Sequence, residues 1–190
     1  MQTLLVTPHH RLRRDTEICI RDVYEQVHGA HIDTFPQTLI AATDRLEMPV
    51  CAAGLRFAGC GFFSESYLED PIDRILGRRT GRQIERERIF EVTTLASRKT
   101  NAVLPFVREI VEFGQTNRYD WAFFTATARL RTLLTSMGLP LEVLGRADPK
   151  RIPHSERWGN YYHCGPQVCA IDARRLEARP PEADVRYAHA

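Results

Sequence analysis

Residues 89–125, IFEVTTLASRKTNAVLPFVREIVEFGQTNRYDWAFFT, decide the fold class. The first part, Ile89 to Ala96, is rich in β-branched residues and alternates in part between apolar and polar positions, as a half-buried strand does. Alternation places Glu91, Thr93 and Leu95 on one face of that strand and Phe90, Val92 and Thr94 on the other. Val103, Phe106, Val107, Ile110 and Val111 fit the i, i+3, i+4, i+7 template of a helix face, with Pro105 tolerated in the first turn and the end near Gly114. Trp121 to Thr125 is then a continuous apolar run, the pattern of a central strand covered on both sides. Strand, helix and strand in this order predict two parallel neighbours joined by a right-handed crossover helix.

Working outward, Ile20, Val23, Tyr24 and Val27 predict an amphipathic first helix from Asp15, its candidate cap, to Gly29, its stop. Thr38–Thr43 and Val50–Phe57 read as strands, separated by the polar residues 44–49. Asp70-Pro71 starts a short helix carrying Ile72, Ile75 and Leu76, with Pro71 at the first helical position and Gly77 and Gly81 loosening its far end. On the other side, Thr127 caps a helix with Leu130, Leu133, Leu134 and Met137 inward. Leu141–Leu144 and Gln167–Ile171 supply two last strands. The whole predicts an α/β fold with a mixed antiparallel and parallel sheet flanked by helices.

The 190 residues, 43% hydrophobic and 26% charged, suffice for one core, so a single domain is expected over residues 1–179, with a flexible tail at 180–190. A net charge of +2 carries no global signature of nucleic-acid binding, and none is expected as a partner. No apolar run approaches the ~20 residues of a spanning helix. Arg11, Arg13 and Arg14 follow the short apolar amino terminus rather than precede it, the wrong order for a secretory signal, so a cytoplasmic protein is expected. The five cysteines are scattered without a C-x-x-C pair, which predicts neither a disulfide framework nor a metal site.

Gly29-Ala-His-Ile-Asp-Thr-Phe-Pro36, Phe62-Phe-Ser-Glu-Ser-Tyr-Leu-Glu-Asp-Pro71 and Trp158-Gly-Asn-Tyr-Tyr162 with Pro166-Gln-Val168 resemble the sequence blocks of the thermostable hemolysin family. Glu91 to Ala96 and Phe124 to Thr127 match it too, so the resemblance runs from about Asp15 to Asp172. It implies the acetyltransferase (GNAT)-like sheet shared with acyl-homoserine-lactone synthases, in which a strand, loop and helix receive the phosphopantetheine arm of an acyl donor. Ile89 onward and the helix from Val103 have that order. Coenzyme A enzymes of this fold usually carry a glycine-rich loop there, whose N–H groups wrap a pyrophosphate. Residues 97–102, SRKTNA, hold no glycine, which favours the thioester of an acyl carrier protein while leaving coenzyme A open.

The function implied is N-acyl transfer from a carrier-protein or coenzyme A thioester, a co-substrate and not a tightly bound cofactor, to a small amino acid-like amine. Such a reaction needs a base, donors for the oxyanion and a proton for the thiolate. Glu91, a carboxylate in an otherwise apolar and hydroxylic strand, is the candidate base or amine anchor; a salt-bridged core carboxylate reads the same. Tyr162 is the candidate proton donor, and with Trp158 and Tyr161 it walls an acyl pocket or forms a core patch. Glu65 and Tyr67 face a substrate or solvent, and Thr93 shares the face of Glu91. Thr125 and Thr127 stand at the strand end where open α/β sheets present ligands, though capping also explains Thr127.

Arg98 and Lys99 are candidates for a phosphate of the donor, or a solvated turn. Arg78, Arg79 and Arg82 belong to a basic cluster that suits docking of an acidic carrier protein, and equally a solvated charged helix. Two other functions fit the resemblance. One is a membrane-active, hemolysin-type binding protein without catalysis. The other is an acyl-homoserine-lactone synthase-like enzyme using S-adenosylmethionine.

Overall fold

The computed structural model of the protein describes residues 1–177; the tail expected at 180–190 lies outside the described residues. The strands are β1 (Gln2–Val6), β2 (Thr38–Thr43), β3 (Pro49–Phe57), β4 (Ile89–Ser97), β5 (Trp121–Ala126), β6 (Leu141–Arg146) and β7 (Gln167–Asp172). The helices are α1 (Arg13–His28), α2 (Ile72–Thr80), α3 (Val103–Thr116), α4 (Ala128–Ser136) and α5 (Ala173–Glu177). One sheet runs in the order β1-β2-β3-β4-β5-β7-β6. Among the described residues only β4 and β5 pair in parallel, and α3 joins them; the remaining ladders are antiparallel.

Local chemistry explains most boundaries. α1 stops where Gly29 takes a left-handed φ of 62°, and α2 stops in the same way at Gly81. α1 starts at Arg13, so Asp15 lies in its first turn and not at the cap. Pro71 stands just before α2, and Gly77 lies within that helix without ending it. β1 was not expected: Met1 to Val6 is a short apolar run with no turn signal, and its partner β2 lies over thirty residues away.

The sheet is covered on both sides. On one face α1 packs Cys19, Ile20 and Tyr24 on Leu39, Ala41, Ala52 and Ala96, and α2 packs Ile72 and Leu76 on Ile89, Trp121 and Phe123. On the other, α3 places Phe106 and Ile110 against Leu55 and Phe90, while Val107 and the α4 residue Leu134 meet Phe124 and Cys169. Burial of such aliphatic and aromatic side chains contributes about 1.5–3 kcal/mol each relative to exposure, which makes these two layers the main source of stability.

One irregularity shapes the middle of the sheet. Gly54 pairs with Thr93 and Ala52 with Ala96, so β4 carries an extra residue there, and Thr94 adopts a φ of 47°. That conformation is costly for a β-branched residue, of order 1–3 kcal/mol, and marks a bulge. The bulge overturns the expected alternation. Leu95 turns to the side of Phe90 and Val92 and packs beneath α3, instead of sharing a face with Glu91 and Thr93. Beyond Val92 and Phe124 the ladder between β4 and β5 stops, and a gap opens between them.

Candidate active site

Two clefts adjoin the β4 bulge, and the gap between β4 and β5 is the mouth of the larger of them, with a volume of about 590 Å³. It passes through the sheet layer: Tyr24, Val27 and His28 of α1 line it from one face, and Val103, Val107 and Leu130 from the other. Val92, Leu95 and Phe124 make its walls apolar, and Thr94, Ser97, Thr125 and Thr127 supply hydroxyls along it. The second cleft, about 300 Å³, lies between the 31–36 segment and the 152–158 segment, and is lined by Arg56, Thr93, Thr94 and Trp158. Thr94 lines both clefts. The bulge therefore stands where a molecule in one cleft meets a molecule in the other, and the Thr94 hydroxyl is buried there without a hydrogen-bond partner.

Five of the expected substrate-binding residues face these clefts. Thr93 and Trp158 line the smaller one, and Thr125, Thr127 and Tyr161 line the larger. Thr127 also caps α4, its hydroxyl accepting the N–H of Leu130 at 3.4 Å. Thr125 shares a hydrogen bond of 2.8 Å with the hydroxyl of Ser64. The Tyr161 hydroxyl donates to the carbonyl of Thr125 at 3.4 Å, and burial drives its pKa well above the ordinary phenol value, so it stays protonated.

Glu91 is placed otherwise. It is fully buried, lines neither cleft, and accepts the backbone N–H of Phe63 at 2.6 Å and of Ser64 at 2.7 Å. Desolvation raises its pKa, while those N–H groups and the charge of Arg56 pull it down. This is the geometry of an anchor that fixes the 62–67 segment, not of a base that reaches an amine.

The other departures also come from long-range partners. Tyr162 lines neither cleft; its hydroxyl lies 2.7 Å from that of Tyr67, which is buried. The phenol at the larger cleft is Tyr161 instead. Glu65 accepts the N–H of Ile72 at the start of α2 and forms an ion pair with Arg86, so it braces a helix end rather than facing a substrate. Arg98 is exposed and paired with Asp22 of α1 at 2.7 Å, and Lys99 is exposed beside the cleft mouth. Neither lines a cleft. Arg78 pairs with Asp70, Arg79 donates to the carbonyl of Val143, and Arg82, just past α2, pairs with Asp172, so each of the three is engaged within its own chain.

Sequence reading missed the cleft residues contributed by α1. His28 lines the larger cleft, with its Nδ1 3.2 Å from the Oδ1 of Asn160 and its ring edge-on to Tyr161. Burial lowers its pKa, which keeps the imidazole neutral near pH 7. A signal did exist, since the third family-like block holds the partners that face it. Arg56 was also missed. It lies on the edge of an apolar run, where an arginine is ordinarily a solvated end.

A parallel pair opening beyond a bulge, flanked by helices on both faces, defines the acetyltransferase-like fold. The model of the thermostable hemolysin family matches residues 6–176, and the chain belongs to that family. No curated protein matches the sequence. Among solved structures, FeeM, an N-acyl amino acid synthase from uncultured soil microbes, superposes with a TM-score of 0.64 at 14% identity, covering 95% of this chain and 97% of that one. BjaI, a coenzyme A-dependent acyl-homoserine lactone synthase solved with SAM and isopentyl-CoA, gives 0.59 at 12%, covering 90% and 83%. An acetyltransferase of the GNAT family from Staphylococcus aureus Mu50 gives 0.50 at 6%, covering 90% and 99%. These likenesses establish the fold. No helix among the described residues is long and apolar enough to cross a membrane.

Proposed function

We propose that the chain is an N-acyltransferase: an acyl thioester enters the larger cleft, an amine enters the smaller, and the two react beside Thr94. The observation that carries this reading is the position of Thr94, which alone among the residues of the β4 bulge lines both clefts. The apolar walls of the larger cleft suit an acyl chain, which gains about 0.8 kcal/mol per buried methylene. The amine nitrogen attacks the thioester carbonyl, a C–N bond forms, the C–S bond breaks, and of the two protons that the ammonium loses one is released and one reaches the thiolate.

His28 is the group we assign as base. Hydrogen bonding of Nδ1–H to Asn160 leaves Nε2 as the lone-pair nitrogen, and a base on the wall of the larger cleft takes a proton directly or through one water. Tyr161, held protonated by burial, lines the cleft as a hydrogen-bond donor, and the proton that His28 takes from the ammonium is the one returned to the thiolate. Glu91 acts on geometry alone, by holding Phe63 and Ser64 against Trp158 and Thr125.

The donor we favour is an acyl carrier protein. The 97–102 loop has no glycine to wrap a pyrophosphate, and the exposed Arg129 lines the larger cleft while the exposed Lys99 lies between its lining residues Ser97 and Thr100, where an acidic partner would dock. Such donors are cytoplasmic, which fits the expected location. Incubation of the purified chain with acyl carrier-protein and coenzyme A thioesters and a panel of amines, followed by mass spectrometry, tests the activity. An N-acyl product with release of free thiol is expected; intact thioester with every amine would refute it.

A further inference from the structure

The smaller cleft contains a half-buried cation, Arg56, that feels the charge of Glu91 but makes no close contact with it. Arg56 on β3 stands directly opposite Glu91 on β4 in the antiparallel ladder, so the two side chains share a face. An ion pair is the expected outcome. It does not form, because the backbone N–H groups of Phe63 and Ser64 hold the two oxygens of Glu91. The Nε of Arg56 is buried and without a hydrogen-bond partner, and Glu91 acts on the guanidinium only through its charge, without an ion-pair contact. Other charges in the cleft are matched. Asp33 and Arg157 pair with each other, and that contact holds the Asp33 carboxyl below the usual carboxylate range.

A buried guanidinium nitrogen left unpaired is costly, and such a group persists where a ligand completes it. A guanidinium presents a planar fork of N–H donors that matches a carboxylate in a bidentate manner. Position narrows the ligand further. Arg56 lines the same cleft as Thr94, and its ladder partner Glu91 lies two residues before Thr93, about 7 Å along the strand. A carboxylate held by Arg56 thus belongs to a small molecule whose amine stands close to the bulge. The remaining wall offers Trp158, stacked on Phe63 at 5.8 Å between centroids, as an apolar surface for a side chain.

We infer that Arg56 binds the carboxylate of the acceptor, which makes the acceptor class an α-amino acid rather than a simple amine. This rests on the acyltransferase reading only for the word acceptor; the carboxylate site itself stands on the unpaired guanidinium. Arg56 is a specificity-determining residue, and its effect is on binding of the acid.

Calorimetric titration of the purified chain with amino acids and with their decarboxylated amines tests the inference, with Arg56→Gln and Arg56→Lys compared. The unmodified protein should bind the acids at least roughly 10-fold more tightly than the amines, the scale of a hydrogen bond to a charged group. Arg56→Gln should abolish that preference, and Arg56→Lys should retain part of it as a point charge. Equal affinity for acid and amine in the unmodified protein overturns the inference whatever the variants do. So does an undiminished preference in a folded Arg56→Gln protein, or competition by sulfate as strong as by the amino acid. Because binding is read without turnover, a carboxylate preference in a protein that transfers no acyl group would overturn the proposed activity and leave this site standing.

Discussion

Gly159 lies against the end of α1 so closely that a Cβ built on it would stand 2.1 Å from the carbonyl oxygen of His28. That carbonyl also accepts the N–H of Asn160 at 2.8 Å, so the loop carrying Trp158 and Tyr161 is fixed to the helix that carries His28. The backbone of Gly159, with φ 54° and ψ −127°, is one that residues with a Cβ avoid. Gly159→Ala should therefore destabilise the fold by roughly 3 kcal/mol, the upper range for a disfavoured backbone, before the clash is added. In a chain of this size the melting temperature should fall by about 10 °C. A calorimetric scan decides, and an unchanged melting temperature would mean that the loop is not held in this way.

Glu91→Gln replaces an acceptor of two N–H groups by an amide with one acceptor and one donor. One of the N–H groups of Phe63 and Ser64 is then left facing a donor, at a cost of about 1–3 kcal/mol. Reduced thermal stability is expected, with the rate per folded molecule reduced far less than the ~100-fold typical of losing a general base. A stable but very slow variant would restore Glu91 to the chemistry.

The imidazole of His28 has a folded-state pKa below its ordinary value of 6.5 because it is partly buried. The unfolded chain then binds the extra proton more readily, so the stability from this group is present above the unfolded value and is lost as pH falls through the folded one. Denaturant titrations from neutral to acid pH should show a decline that is shallower in His28→Gln. The acid limb of the rate should vanish in the same variant, and an unaltered limb would exclude His28 as base.

Arg129 is exposed and lines the larger cleft, and Lys99 is exposed between Ser97 and Thr100, which also line it. Charge reversal at both should slow transfer from an acyl carrier protein and flatten its dependence on salt, since exposed steering charges are screened over about 8–10 Å. Transfer from a short coenzyme A thioester should change less. Reversal at Arg78, Arg79 and Arg82 should act mainly on stability, because their partners lie in the same chain.

The ordered alternation from Thr38 to Thr125 was legible because hydrophobic period and cap residues are local properties. So was the parallel pair of β4 and β5, which requires a crossover element between them. The bulge at Thr94 was not legible, since nothing in a Val-Thr-Thr-Leu sequence marks a left-handed residue, and with it went the side on which Leu95 packs. Glu91 was rightly singled out as an isolated carboxylate in a strand, but its partners lie 27 and 28 residues back in the chain. Arg82 and Asp172 are 90 residues apart, so an arginine that reads as a docking charge proves to be a tie within the fold. Trp158 and Tyr161 were found because they cluster beside Gly159 and Asn160, whereas His28 stands in the last turn of α1, where a basic residue needs no ligand to explain it.

The most direct measurement is a crystal structure of the protein with an N-acyl amino acid, the expected product. The predicted result is the amide beside Thr94, the acyl chain in the apolar cleft between Val107 and Leu130, and the carboxylate in the cleft lined by Arg56 and Trp158. A product bound with both ends in one cleft, or away from the β4 bulge, would contradict transfer between the two clefts.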